Sequence, residues 1–252
     1  MSPRPGVSAA AMENAMNRLS TTMLLAMLAL AGARGTARAA NPVIDWDPAF
    51  CWQAGATFDN MPANGIMRVV GTVSLFGPPL DFLNATMPGT EYTFFCDGLT
   101  SQGTTPSGPA ATTIYTTLFS GGTIALYGDP TPDADFEPFP PNAHVPSTFT
   151  NDPPPLLTGV FTSFIVTTNN FTTFKTGNIE GNIAWTGGTL IDYFKGANGQ
   201  PCPGLFTGGA TWNTAPGVGI PGYLFRHDGK IDLQCPVPTT KSSWGRVKQL
   251  YR

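Results

Sequence analysis

Charge, histidine and long apolar stretches are all scarce in this chain. Charged residues make up 12% of the sequence, and only two histidines are present. After residue 40 no apolar run reaches the length of about 18 residues that a membrane-spanning helix needs. The sequence also lacks a Gly-x-Ser-x-Gly motif and a zinc-type cysteine spacing. These scarcities argue against a membrane-spanning protein, a serine hydrolase of that type and a zinc ribbon.

The charges that are present divide the chain into two parts. Residues 41–235 contain 15 acidic and five basic residues, whereas residues 236–252 contain four basic residues and no acidic one. An acidic body argues against nucleic acid as a partner, because phosphate groups would be repelled. It is compatible with divalent cations.

The N-terminal residues have the pattern of an export signal. Arg18 supplies a short basic start, residues 22–31 are an uncharged apolar run, and small residues follow up to Ala39 and Ala40. This order predicts a secretory signal peptide over residues 1–40, cut after Ala39 or Ala40. The competing interpretation is a buried N-terminal helix. We therefore expect a secreted protein, either extracellular or periplasmic.

The composition of the rest predicts an all-β protein. The chain contains 29 glycines and 25 prolines, which interrupt helices, and the remaining apolar residues fall in short alternating runs typical of strands. About nine strands with turn signals every ten residues or so predict one antiparallel β-sandwich, jelly-roll or immunoglobulin-like, with a barrel as the alternative. We expect a single β domain over residues 41–235 and a short basic tail over residues 236–252.

Glycine pairs and turn dipeptides predict where the strands end. Hairpins are expected at Gly121-Gly122 and at Gly187-Gly188, and a tight turn at Asp97-Gly98. The predicted strands are 66–76, 92–96, 113–119, 123–127, 156–168, 179–185, 189–194, 205–213 and 222–233. Loops are predicted at 101–110 and, because of its many prolines, at 129–155.

Four cysteines suit a disulfide framework in an exported chain. They are Cys51, Cys96, Cys202 and Cys235, and they allow three connectivities. Folding the last predicted hairpin about its turn brings Cys202 opposite Cys235. This pairing is therefore favoured, and it leaves Cys51 to pair with Cys96.

An acidic segment is the most distinctive candidate for a metal site. Asp129, Asp133, Asp135 and Glu137 place four carboxylates within nine residues. Carboxylate oxygens on a loop suit Ca²⁺, although the central glycine and spacing of an EF-hand are missing. The alternative interpretation is a solvated acidic turn.

Catalytic groups are harder to find. His144 and His227 lack a recognisable nucleophile, while Glu91 and Glu180 are scarce glutamates that could serve a glycosidase only if the fold brought them together. Four aromatic residues could form a sugar-stacking platform, or they could pack in the core. These are Trp52, Phe174, Trp185 and Trp212.

The basic tail has one apolar face if it is helical. A sorting or docking role is predicted for Trp244, Lys248, Tyr251 and Arg252, and a frayed terminus is the alternative.

The stretch from Ser120 to Phe136, followed by Trp185 to Leu190, resembles uncharacterised exported bacterial β-rich proteins. Some of those are similar to cargo of exosortase-type (PEP-CTERM) sorting. The resemblance covers about 70 residues and implies no catalytic residues. This chain departs from that cargo because it lacks a Pro-Glu-Pro motif followed by a membrane helix and a basic end.

Taken together, these features predict a secreted or cell-envelope structural or binding module, adhesin-like and without evident catalysis. Its partner would be a cell-surface component or a glycan. Two alternatives are a secreted carbohydrate-active hydrolase and an extracellular fibre subunit assembled by strand addition.

Overall fold

The computed structural model describes residues 42–136, 147–150, 154–170, 175–212, 220 and 222–235. These residues form nine β-strands and three short 3₁₀ turns. The strands are β1 (Ile44–Gln53), β2 (Ile66–Phe76), β3 (Glu91–Ser107), β4 (Thr113–Ser120), β5 (Thr123–Asp129), β6 (Leu157–Asn170), β7 (Lys175–Gly187), β8 (Gly204–Trp212) and β9 (Phe225–Leu233). The 3₁₀ turns are Ala110–Thr112, Ser147–Phe149 and Ile191–Phe194.

The strands close into an antiparallel barrel. Their order is β2-β1-β9-β8-β7-β6-β4-β3-β5, and the further pairings β2–β3 and β6–β5 join the two ends. Because β4 and β5 share one position in the ring, the barrel has eight positions. The prediction of an all-β antiparallel fold is confirmed. The barrel alternative is correct, and the sandwich is wrong, because each described strand pairs on both sides within one continuous sheet.

The first glycine pair bends a strand and does not reverse it. β4 and β5 both run antiparallel to β6, which pairs first with one and then with the other. They are therefore successive parts of one long strand, and the predicted hairpin is wrong. Gly121 and Gly122 have φ values of 66° and 94°, a backbone conformation that disrupts the ladder locally without turning the chain back.

The neighbouring strand bends at the same place. Gly98 in β3 lies against Gly122 of the adjacent strand and has a φ of 74°. β3 continues through it to Ser107, so the turn predicted at Asp97-Gly98 and the loop predicted at 101–110 are both wrong. Paired glycine bends of this kind allow a sheet to curve enough to close.

Two other segments differ from the prediction. The residues after Gly188 form the 3₁₀ turn Ile191–Phe194, so the second hairpin is wrong. β1 was not predicted, since Pro48 interrupts its pattern. The strand tolerates this proline because its pairing register shifts between Trp46 and Ala49 against both neighbouring strands.

The barrel interior is filled by aromatic side chains. Trp46 is fully buried and lies 4.5 Å from Phe206 and 5.0 Å from Phe94, measured between ring centroids. Phe161 and Phe164 continue the cluster at centroid distances of 5.8 Å and 5.9 Å from Phe206. Tilted and edge-on contacts at such distances are favourable. The interior is therefore a packed core.

A second apolar cluster covers part of the outer surface. Phe50 and Val70 point outward from β1 and β2, and the 3₁₀ turn that ends at Phe149 packs over them. Phe149 is completely buried, and its carbonyl accepts a hydrogen bond from the Thr93 hydroxyl. The described part of the predicted long loop therefore shields this side of the barrel from solvent.

Candidate functional site

Three carboxylates converge where β3 begins and β5 ends. Glu91 and Asp129 are direct partners across these two strands, and Asp133 follows in the loop after β5. One oxygen from each of the three lies within 4.8 Å of the others. Asp129 is 5% exposed, so the cluster is partly enclosed.

Hydrogen bonds from the backbone organise this cluster. One oxygen of Glu91 accepts the N–H groups of both Asp133 and Ala134, each at 2.6 Å. Asp129 accepts the N–H of Thr131, also at 2.6 Å. These charge-assisted bonds fold the loop back over the strand ends. The cluster thus has a structural role whether or not a cation is bound.

Only two of the four predicted calcium ligands lie in this cluster. Asp129 and Asp133 come together, joined by Glu91, which the sequence did not suggest as a ligand. Asp135 is outside the group of three, and its N–H contacts the Thr148 hydroxyl at 3.3 Å. Glu137 lies outside the described residues. Calcium binding stays a prediction. Thermal melting of the protein with and without millimolar Ca²⁺ tests it, and an unchanged melting temperature would contradict it.

The two scarce glutamates do not form a catalytic pair. Glu180 faces Ile165 on β6, whereas the strand that carries Asp129 meets β6 near Leu157. The eight residues between those two points span about 26 Å at about 3.3 Å per residue. A glycosidase needs its two carboxyl groups roughly 5–10 Å apart. This geometry does not support the prediction of paired catalytic glutamates.

One of the two predicted disulfides is present. Cys202 and Cys235 are bonded, with Cα atoms 4.7 Å apart, next to the paired strands β8 and β9. Cys51 and Cys96 are free and buried. Both face Val69 from opposite sides of β2, so two strand spacings of about 4.8 Å separate their backbones, beyond the usual reach of a disulfide. The predicted Cys51–Cys96 bond is therefore not made.

Neither cysteine nor histidine supplies an accessible reactive group among the described residues. Burial raises the pKa of both free thiols well above its usual value, with a further increase from Cys96 on Cys51 and from Asp97 on Cys96. His227 is 1% exposed in the barrel interior, where its Nδ1 accepts a hydrogen bond from Trp46 Nε1 at 3.1 Å. Burial lowers the pKa of His227 to about 3. His144 lies outside the described residues.

The predicted sugar-stacking residues do not form an exposed platform. Trp185 belongs to the core and Trp212 packs against it, while Phe174 lies outside the described residues. Trp52 packs against the second cluster. A different aromatic pair is exposed: Phe82 and Tyr193 are each about half exposed, with centroids 4.8 Å apart. Phe82 lies in the loop after β2 and Tyr193 in the 3₁₀ turn Ile191–Phe194, more than a hundred residues apart, so the sequence offered no signal for the pair.

Charge is distributed unevenly around the outside of the barrel. β4, β6 and β8 carry no charged residue, and β7 carries only Lys175 and Glu180. In contrast, β1, β2 and β9 carry seven charged residues: Asp45, Asp47, Arg68, Arg226, Asp228, Lys230 and Asp232. We call the outward-facing side chains of β4, β6, β7 and β8 the low-charge wall.

The low-charge wall has an apolar centre. Ile114, Leu118 and Val160 are 40%, 52% and 38% exposed, and Ile165 is half-buried directly opposite Leu118. We call these four residues the apolar seam. They share an outward position on β4 and β6, and threonine, serine and asparagine surround them.

A shallow groove lies on each side of the seam. The larger groove, of about 540 Å³, lies between β6 and β8 and is lined by Ile165, Thr167, Asn178, Glu180 and Thr207, among others. The smaller, of about 430 Å³, lies over β3 and β4 and includes Leu118 and Thr116. Leu118 and Ile165 thus form a ridge between the two grooves. The sequence shows that these segments contain almost no charge. Only the strand order shows that they lie side by side on one wall of the barrel.

Comparison with known proteins finds no match: no family model, no curated protein and no solved structure is significantly similar to this chain. Within the described residues, no helix has the length and apolar character needed to cross a membrane. The predicted signal peptide and the predicted docking residues of the tail, Trp244 to Arg252, lie outside the described residues.

Proposed function

We propose that this protein is an exported structural or binding module that engages a partner through its low-charge wall. The observation that carries the proposal is the segregation of charge around the barrel. A soluble protein normally intersperses charges over its surface, as β9 does here. The strands of this wall carry only Lys175 and Glu180 as charged residues, so a partner can desolvate most of it without removing an ion from water.

The packed interior supports a scaffold role. The largest buried side chains fill the barrel, and a disulfide fixes one end of it. A rigid scaffold presents its outer surface in one conformation, which lowers the entropic cost of binding. The partner would be a cell-surface component or glycan without net charge, or a protein surface of the same character.

The other two functions have less support. A carbohydrate-active hydrolase needs two neighbouring carboxyl groups, and Glu91 and Glu180 lie far apart along the barrel. Assembly of a fibre by strand addition needs an unpaired sheet edge. Among the strands that the structure describes, each has a neighbour on both sides.

Retention of the protein on its own cell envelope tests the proposal. Thr116→Lys places a charge in the smaller groove, whose lining carries no charge, and Ser74→Lys places the same charge on β2, within the charged side of the barrel. Each variant, expressed in the source organism, is washed from the envelope fraction with increasing salt. Wild-type retention is expected to resist molar salt, because contacts without charge are not screened.

We expect Thr116→Lys to reduce the retained fraction about tenfold, as the cost of burying an unpaired charge requires. Ser74→Lys should behave as wild type. Equal retention of the two variants, or loss of wild-type retention at moderate salt, would contradict the proposal.

A further inference from the structure

Phe82 and Tyr193, the exposed aromatic pair, are held in place at one end of the barrel. Phe82 lies between Leu80 and Leu83, which both contact the core, in the loop that joins β2 to β3. Tyr193 precedes Phe194, which is completely buried, in the 3₁₀ turn after β7. Both rings are therefore fixed by buried neighbours and yet about half exposed. A partner can cover them without first having to order the backbone.

The basic tail leaves the described part of the barrel close to this pair. The Phe194 carbonyl accepts the Cys202 N–H at 2.8 Å, and Cys202 is bonded to Cys235 with 4.7 Å between their Cα atoms. With standard bond lengths, the Cα atoms of Tyr193 and Cys235 are therefore at most about 15 Å apart. Trp244 follows Cys235 by nine residues, which can span up to about 30 Å. The tail is thus long enough for its tryptophan to reach the aromatic pair.

The charge at this end of the barrel is opposite to the charge of the tail. Carboxylates at this end include Asp81, Glu91, Asp129, Asp133 and Asp192. Lys195 is the only basic residue in the described parts of the loops that follow β2, β5 and β7, and it pairs with Asp192. Residues 236–252 carry four positive charges and no negative one. Attraction between opposite charges therefore favours the approach of the tail to this end.

The tail also has apolar side chains that could cover the rings. They are Trp244, Val247, Leu250 and Tyr251, and they are interspersed with the basic residues. Contact between a tryptophan and the aromatic pair would remove apolar surface from water on both sides. Because the tail is attached to the barrel, its effective concentration there is on the order of millimolar, so a weak contact suffices.

We infer that the basic tail docks on the end of its own barrel, with Trp244 against Phe82 and Tyr193 and with its basic side chains beside the carboxylates. Exposure alone does not single out this pair, since Leu75 and Leu118 are about as exposed. The pair is distinguished by its place next to Cys202–Cys235 and by the acidic residues around it. This docking does not involve the low-charge wall, so it goes beyond the proposed function.

Limited trypsin digestion of the purified chain through Arg252 tests the docking. Trypsin cuts after the lysines and arginines of the tail, and the mass of the remaining protein reports the loss of the tail. A docked tail is protected because the protease cleaves only the open form. Phe82→Ser and Trp244→Ser are each expected to speed the loss of the tail by about fivefold or more. Leu118→Ser removes a similarly exposed side chain from the low-charge wall and should leave the rate at the wild-type value.

The double variant shows whether the two side chains contact each other. Phe82→Ser combined with Trp244→Ser should be cleaved no faster than either single variant, because both remove the same contact. Equal cleavage of wild type and Trp244→Ser, or effects of the two substitutions that multiply, would overturn the inference. The wild-type rate should not depend on protein concentration. Protection that grows with concentration would place the tail on a second copy and would also overturn docking on its own barrel. Trp244→Ser leaves the barrel unchanged, so it decides the question even if Phe82→Ser folds poorly.

Discussion

A buried histidine should make this barrel sensitive to acid. His227 lies in the interior among the rings of Trp46, Phe206 and Phe225. Because its Nδ1 accepts the Trp46 N–H, the imidazole proton is on Nε2, which is buried and has no partner among the described residues. Protonation would place a cation in this apolar site, and burial accordingly lowers the pKa to about 3.

The size of the effect follows from the two pKa values. In the unfolded chain a histidine titrates near 6.5, so between pH 6.5 and about 3 the unfolded state binds a proton that the folded state does not. The stabilisation is therefore complete above pH 6.5 and is lost progressively as the pH falls. The loss reaches about 3 kcal/mol at pH 4.5 and about 5 kcal/mol once the folded state also protonates.

Substitution of His227 by phenylalanine isolates this contribution. Near pH 7 the variant should be less stable than wild type by about 1–2 kcal/mol, because the buried Trp46 N–H loses its acceptor. Below about pH 5 the order should reverse, since the variant has no buried group to protonate. Urea unfolding followed by circular dichroism, at half-unit intervals from pH 7.5 to 4, measures both free energies of unfolding.

The decisive quantity is the difference in free energy of unfolding between wild type and His227→Phe at each pH. The titration of carboxylates contributes equally to both proteins and cancels in this difference. Gly71→Ala, a core substitution that removes no titratable group, serves as the control and should leave the pH dependence unchanged. A difference between wild type and His227→Phe that stays constant from pH 7.5 to 4 would refute the reasoning.

Three further predictions concern stability and thiol chemistry. Removing the disulfide, which spans 33 residues, should cost about 4 kcal/mol by loop entropy, and thermal melting with and without reductant measures it. Gly71→Ala should lower the free energy of unfolding by about 1–3 kcal/mol or more, because the added Cβ would lie 2.4 Å from the Phe94 ring. Gly209→Ala is the control: its added Cβ meets nothing within 4 Å, so its effect should be nearly neutral. Equal effects of the two substitutions in chemical denaturation would contradict this prediction. The thiols of Cys51 and Cys96 should not react with a thiol reagent near neutral pH until the protein is unfolded, and rapid labelling of the native protein would show that they are accessible.

Local patterns predicted the strands better than their connections. The strand Ile66–Phe76 has the predicted bounds, and the β8–β9 pair with its disulfide follows from alternation and turn residues near in sequence. The glycine pairs were misinterpreted because a positive φ serves a hairpin turn and a strand bend equally well. A hairpin turn and a strand bend can be distinguished only from the strands that pair with the segment, and those strands are distant in sequence. The Glu91–Asp129 contact was unpredictable for the same reason, since it depends on β3 lying beside β5.

The charge pattern of the wall is not a consequence of the barrel itself. β8 and β9 are neighbours, and Thr207 on one faces Lys230 on the other. Both residues point outward and both are half-buried. Outward positions on β9 nevertheless alternate in charge, while those on β8 are Leu205, Thr207, Gly209 and Thr211. Since an outward side chain on either strand can hold a charge without disturbing the core, packing alone does not explain the difference. We propose that the difference reflects the partner that the wall contacts, and the comparison of Thr116→Lys with Ser74→Lys tests this proposal.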